Sequence, residues 1–358
     1  VNAGPVVGTP QTNIGYVTLT VCVPGTSTCQ TIPNVQADTG SEGLRVISSV
    51  LTLSLPQEND GNGNPIGECA QFADGNTWGP VMMADVQMGG ETASNIPIEV
   101  IGGPNVGSAP SACTSTGSLE QTVAALGANG LVGIGPFLQD CGSGCTSTGS
   151  SNPGFYFSCP SSGCSVAPAS LAQQVLNPVA LFASDNNGTI IELPSISSAG
   201  AATVTGSLVF GIGTEANNGL GNATVFPLDN VGNFTTTFKN TPYNMSFIDS
   251  GSNGIFFLDS KTTGLPDCTS PGNPAFYCPA STANLSAINS ASNGASNTVN
   301  FSIANASSLN GNFSAFNDLG GSNPNTFDWG LPFFYGRNVF TGIEGQNSPA
   351  GVGPFFAY

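Results

Sequence analysis

The chain has 358 residues, enough for a large core and for two units of ordinary domain size. Its 21 acidic residues against 4 basic ones (Arg45, Lys239, Lys261 and Arg337) give a net charge of -17, which makes nucleic acid and anionic membranes poor partners. No window approaches the roughly 18 apolar residues of a membrane span. There is no His, and none of the ten Cys forms a CxxC pair, so disulfides in an oxidising compartment explain the cysteines better than a metal site.

Gly (48) and Pro (26) are abundant and helix-period runs are scarce, which predicts a mostly β chain of short strands joined by turns. Only 7% of the residues are charged, so solubility rests on Asn, Ser, Thr and Gly, as in extracellular or assembled proteins. The sequence opens on Val1, as a chain trimmed of a targeting segment would, and the expectation is an exported, secreted or cell-surface protein.

In chain order, residues 16 to 41 read as a strand, a turn carrying Pro24 and Gly25, and a second strand entering Asp38, with Cys22 and Cys29 flanking the turn. Residues 72 to 90 predict a hairpin around Asp74-Gly75. Leu119 to Leu126 is a candidate short helix, followed by the apolar, Gly-broken segment GLVGIGP. The stretch 139 to 165 holds Cys141, Cys145, Cys159 and Cys164 among Gly and Ser, as a stapled surface excursion would. SLAQQVLNP, with Ser170 as N-cap and Pro178 as stop, predicts another short helix. Strands at VALFAS, GTIIELP and GSLVFGIG follow, and the Ser and Ala run from Ser195 to Ala202 marks a boundary between units 1–198 and 199–358. Residues 281 to 326 are dominated by Asn, Ser, Ala and Gly, and the chain closes on WGLPFFYGRNVFTGIEG and a final apolar strand. The aromatic residues Phe333, Phe334, Tyr335, Phe355 and Phe356 are candidate core. Spacing within turn-rich segments predicts bridges Cys22 to Cys29, Cys268 to Cys278 and a longer Cys69 to Cys113, while the full connectivity stays open.

The informative repeat is small. ADTGSEGLRV surrounds Asp38 and IDSGSNGIFF surrounds Asp249, 211 residues apart (249 minus 38), each with Asp, a hydroxyl residue, Gly and Ser after an apolar strand. One such triplet arises by chance, or as an Asx-type turn at a strand end. Two, one in each half, fit a chemistry: hydrolysing an amide without a metal or a nucleophilic side chain needs one carboxyl to activate water and another to protonate the carbonyl oxygen, and two adjacent carboxyls sharing a proton do both.

On these residues the chain resembles the pepsin-like aspartic proteases, and the order of parts matches over most of its length: N-terminal hairpin, D-T-G-S loop, flap hairpin, GLVGIG, crossing strands, D-S-G-S loop and a C-terminal strand pair. It looks most similar to bacterial secreted relatives of poorly characterised function. The resemblance implies a bilobal pepsin-like fold with a central interlobe cleft and no cofactor. It implies Asp38 and Asp249 as the catalytic dyad, and Thr39 and Ser250 as mutually bonded hydroxyls beneath it. Gly40 and Gly251 would permit close approach, Ser41 and Ser252 would support the outer carboxylate oxygens, and Phe72 to Gly79 would form a flap with Asp74 and Gly75 near its tip. Two departures stand out. Phe72 occupies the position of the family's flap Tyr, and Arg45 the position of its Trp, so the usual bond between those two cannot form. Arg45 either pairs with an acid such as Glu42 and favours a charged Asp38, or solvates a strand end. A third departure, Asp328-Trp329-Gly330, stands where two apolar residues and Gly are usual.

The Ser-His-Asp and Cys-His sites are excluded by the absence of His, and no phosphate loop follows the Gly pairs. Two functions remain: an exported aspartic endopeptidase taking an extended peptide or protein substrate, and a pepsin-fold surface scaffold, assembly subunit or binding protein capable of self-assembly. The low charge and altered flap favour the second, and the intact pair of Asp the first. With so few bases, few acids gain a direct partner whose loss in acid would unfold the chain, so acid tolerance is expected.

Overall fold

The computed structural model describes residues 1–269 and 275–358. Strands hold 40% of the chain and helices 9%, so the β reading of the composition is met. The first half carries β1 (Tyr16–Cys22), β2 (Cys29–Asp38), β3 (Glu42–Ile47), β4 (Ile66–Glu68), β5 (Gly79–Met88), β6 (Glu91–Ile101), β7 (Gly130–Ile134), β8 (Tyr156–Ser158) and β9 (Ser165–Val166). These form one nine-stranded sheet in the order β1-β2-β7-β3-β6-β5-β4-β8-β9, and a further pairing of β1 with β5 curls it into a barrel-like shape.

Next come β10 (Gly188–Leu193), β11 (Ser207–Phe210), β12 (Val225–Pro227), β13 (Phe234–Phe238), β14 (Thr241–Ile248), β15 (Ile255–Leu258), β16 (Ala283–Ser290), β17 (Ser296–Ile303), β18 (Gly320–Gly321), β19 (Asn323–Trp329), β20 (Arg337–Gly342), β21 (Asn347–Ser348), β22 (Gly351–Val352) and β23 (Phe355–Ala357). A seven-stranded sheet runs β17-β16-β13-β14-β19-β15-β18, and a five-stranded sheet runs β11-β10-β20-β23-β12. The boundary placed near residue 198 falls in the connection between β10 and β11, two neighbours in that five-stranded sheet.

Both Asp turns are generated by the same strand arrangement. β2 delivers Asp38, β3 leaves the turn, and β7 inserts between them, parallel to β2 and antiparallel to β3. In the second half β14 leads to Asp249, β15 leaves, and β19 inserts in the same senses. The registers agree at the 211-residue offset: Ala37 and Leu44 both face Val132, and Ile248 and Ile255 both face Trp329. Both inserted strands lie in the core. β3 and β7 are buried throughout, and Phe327 and Trp329 of β19 sit in an aromatic cluster with Phe257, Phe301 and Phe333. Phe333, Phe334, Tyr335, Phe355 and Phe356 are all buried.

Four expectations need correction. The strand expected at VALFAS is a short 3-10 turn, Val179–Leu181. SLAQQVLNP forms a single turn rather than a helix: the buried Gln174 amide donates to Gly142 O and Ala169 O, and Asn177 donates to Gly135 O, so side chains tie the segment to other loops. The helix expected over Leu119 to Leu126 is one turn, Val123–Leu126, capped by Thr122 and ended by Gly127. The stretch 139 to 165 is not wholly a surface excursion, because Tyr156 and Phe157 on β8 are buried beside β4. The Asn- and Ser-rich run after residue 281 also holds the hairpin β16–β17, whose Ala287, Val299, Phe301 and Ile303 point inward.

All ten cysteines are paired: Cys22–Cys29, Cys69–Cys113, Cys141–Cys145, Cys159–Cys164 and Cys268–Cys278. Such bonds persist in an oxidising compartment. Among the described residues no helix is long and apolar enough to cross a membrane. Cys69–Cys113 closes a sequence separation of 44 and Cys141–Cys145 one of 4, so chain entropy makes the first worth about 4 kcal/mol and the second about 2 kcal/mol. Paired Cys→Ser variants compared by denaturant titration are expected to keep that order, and equal losses would contradict it.

Candidate active site

The two Asp turns meet across the structure through crossed hydrogen bonds. Thr39 N donates to Ser250 Oγ at 3.0 Å, and Ser250 N donates to Thr39 Oγ1 at 2.9 Å. Each hydroxyl then donates to the carbonyl before the opposite Asp, Thr39 to Ile248 O at 3.3 Å and Ser250 to Ala37 O at 2.8 Å. Both residues are 1% exposed, and the amide and hydroxyl of each have a protein partner in place of water.

The carboxyls are held in matching ways. Asp38 accepts from Gly40 N at 2.7 Å and from the Ser41 hydroxyl, and Asp249 accepts from Gly251 N at 2.7 Å and from Ser252 Oγ at 2.8 Å. A Cβ on Gly40 would lie 2.5 Å from Asp249 Cγ, and one on Gly251 would lie 2.4 Å from Asp38 Oδ1. No other residue fits at either position without moving the carboxyl opposite.

Asp38 is buried and Asp249 partly exposed. Burial, then the charge of Asp249 and a hydrogen bond with it, push Asp38 well above the usual carboxylate range. Two carboxyls this close oppose each other's ionisation, so a pair of this kind can hold a single proton between them. One member can then accept a proton while its neighbour donates one.

The remaining sequence candidates gather elsewhere. Arg45 is 2% exposed and neither pairs with the Glu42 carboxylate nor solvates a strand end. Its guanidinium pairs with Glu68, with Asp140 at 3.0 Å and with Glu99 at 3.4 Å, and it donates to the backbone carbonyl of Glu42 at 2.8 Å. The groups acting on Asp38 are Asp249, Ser41 and Gly40, not Arg45. Thr77 Oγ1 donates to Glu99, and Tyr156 Oη donates to Asp140. The Arg45 guanidinium lies 5.6 Å from the Phe72 ring centroid, so the two residues contact each other as a cation and an aromatic face.

Phe72 N donates to Gly75 O at 2.8 Å, closing a tight turn with Asp74 exposed. This turn is tied down. Asn76 exchanges backbone bonds with Ser118 and Glu120, its amide donates to Cys113 O and Thr116 Oγ1, and Cys69–Cys113 anchors its approach. The sequence reading missed Glu68, Glu99, Asp140 and Tyr156. A single Glu inside the apolar run NIPIEVIGG was the available signal, because such a residue needs a buried partner.

This chain belongs to a family described as a protein of unknown function (DUF3443), whose model matches residues 1–358. No curated protein matches it.

The buried acids around Arg45 make stability depend on pH with a definite sign. Burial pushes Glu99 up to about 7 and Glu42 up to about 8 from an ordinary 4.5, and raises Glu68 as well. Between the unfolded and folded values the native state binds more protons than the unfolded chain, so stability falls as pH rises. The contribution is complete below about pH 4.5 and is lost as pH passes through about 7 to 8. The opposing case is Asp60: burial raises it, but hydrogen bonds from Ser158, Asn64 and Asn62 together pull it down to about 2, and because it is partly exposed its weight is small. Thermal unfolding is expected to give the highest Tm near about pH 5 and a lower one by about pH 9. A Tm that rises across that range would contradict the assignment.

Proposed function

We propose that this chain is an exported aspartic endopeptidase of the pepsin-like kind, secreted or held at the cell surface. It hydrolyses extended peptides with apolar side chains bound in a cleft between lobes 1–198 and 199–358. The observation that carries the reading is the meeting of the two D-[ST]-G-S turns: crossed Thr39 and Ser250 bonds, two glycines that leave no room for a Cβ, and two carboxyls with matching supports. A pair of unrelated Asx turns has no reason to meet in this way.

In this mechanism the more buried Asp38 holds the shared proton and Asp249 is the base. A water between them gives a proton to Asp249 as its oxygen attacks the peptide carbonyl carbon, and Asp38 protonates the carbonyl oxygen. The tetrahedral diol collapses when Asp249 passes its proton to the leaving nitrogen. The C–N bond breaks, and one diol hydroxyl returns its proton to Asp38. Both carboxyls end as they began.

A second reading, a pepsin-fold scaffold, binding protein or assembly subunit, is favoured by the anchored turn at residues 72 to 76, since a flap over a cleft has to open for substrate.

Hydrolysis of a denatured protein is expected only in acid, where the dyad keeps a single proton. Asp38→Asn and Asp249→Asn are each expected to lower kcat by at least about a thousandfold while leaving the circular dichroism spectrum unchanged. Phe72→Tyr is expected to change turnover little, because the ring faces Arg45 and meets no Trp. If no peptide is cut at any acidic or neutral pH, and the Asn variants match the parent in every assay, the scaffold reading stands.

A further inference from the structure

A cavity of about 470 Å3 opens among β15, β17 and the start of β20, and neither Asp38 nor Asp249 lines it. Ile255, Val299 and Phe301 supply apolar wall, and Asp318 and Arg337 supply two opposite charges.

One buried side chain sets both charged residues in place. Asn13 Oδ1 accepts from Phe316 N at 2.8 Å and from Tyr335 Oη at 3.0 Å, which anchors the chain two residues before Asp318 and two before Arg337. The Asn13 amide donates to Phe316 O at 2.9 Å, and Asp318 O accepts from Ala304 N at 2.8 Å. The two charges are therefore held in position before any ligand arrives, which lowers the cost of binding one.

Neither charge is satisfied by the chain. Asp318 is 3% exposed, and its Oδ1 has no hydrogen-bond partner among the described residues, which is unusual for a buried carboxyl oxygen. Burial raises this carboxyl above its usual range, as expected where no positive charge stands beside it. The Arg337 guanidinium lies 4.4 Å from the Phe333 ring centroid and donates through Nη1 to Phe333 O. The ring covers one face of the guanidinium and leaves the Nε and Nη2 edge, the edge that grips a carboxylate with two parallel bonds. All ion pairs among the described residues belong to Arg45, so Asp318 and Arg337 pair neither with each other nor with another charge there.

We propose that this cavity binds a small zwitterion with an apolar side chain, a free amino acid or a dipeptide, whose ammonium meets Asp318 and whose carboxylate meets Arg337. A ligand with one sign of charge would leave the other group as it was, and a neutral polyol would bring a counter-charge to neither. The ammonium supplies from outside the positive charge that a chain with four bases does not spare for Asp318. Ile255, Val299 and Phe301 receive the apolar side chain. The site uses no atom of the dyad and does not depend on the hydrolytic reading.

Isothermal titration calorimetry of the whole protein at neutral pH, with L-leucine and L-leucyl-L-leucine as probes, tests the site. Saturable one-to-one binding is expected, and the tighter of the two probes gives the spacing between the charges. N-acetyl-L-leucine lacks the ammonium and L-leucinamide lacks the carboxylate, so each is expected to bind at least about tenfold more weakly than L-leucine. Asp318→Asn is expected to weaken L-leucine by at least about tenfold and to leave N-acetyl-L-leucine unchanged. Arg337→Gln is expected to weaken L-leucine to a similar extent and to leave L-leucinamide unchanged. No saturable binding of either zwitterion, blocked forms that bind as well as L-leucine, or binding of D-glucose in their place overturns the proposal. Binding that ignores both substitutions belongs to another part of the chain and overturns it as well. Should a variant fail to fold, the comparison of L-leucine with its two blocked forms on the parent protein decides.

Discussion

Two hydroxyls, Thr39 Oγ1 and Ser250 Oγ, fix how closely the halves of the chain approach. Each is buried, accepts from the amide of the opposite turn and donates to the carbonyl before the opposite Asp. Leaving one such buried group unpaired costs about 1 to 3 kcal/mol, and the four bonds share the same few atoms, so they act as a unit. The separation they impose has consequences in both directions. Toward the carboxyls, it makes Gly the residue that fits at 40 and 251. Toward the sheets, it requires two strands to end face to face, which the insertion of β7 and of β19 achieves with one register.

Electrostatics in this chain turns on a shortage of bases. With 21 acids and 4 bases, most carboxyls stay at the surface, and those that are buried either share a base or hold a proton. Arg45 serves three acids at once, more than one guanidinium can neutralise, and the excess is met by protonation. The charges that raise Asp38 and Asp328 are those of other acids. Buried Arg45 is thus a structural feature of the first half, and its contact with the Phe72 ring links that cluster to the 72–76 turn.

What could be read from the sequence was whatever repeats or is local. The duplicated Asp turns carry their own spacing, and composition alone reports strands. Cysteines 7 and 10 residues apart find each other across single turns, as spacing suggests. Less local features were hidden. Arg45 meets Glu68 and Asp140 at separations of 23 and 95 residues, and its strand end resembles a solvated one until those strands are assembled. Ser170 to Pro178 carries helix signals, but the Gln174 and Asn177 side chains find backbone carbonyls in other loops, and tertiary bonds override a weak local preference. The hairpin β16–β17 hides behind its outward Asn and Ser, since only one face reaches the core. Asp328 was visible as a departure from an apolar pattern, but its burial on a strand between Phe247 and Phe256 depends on the fold.

The account comes down to one proton placed between Asp38 and Asp249. Neutron diffraction from a deuterium-exchanged crystal held near pH 4 locates it without reference to any substrate. The account predicts a single deuteron between the two carboxyls, with the Ser41 and Ser252 deuterons directed at the outer oxygens of Asp38 and Asp249. Two fully protonated carboxyls, or two bare ones set apart by intervening water, would contradict it.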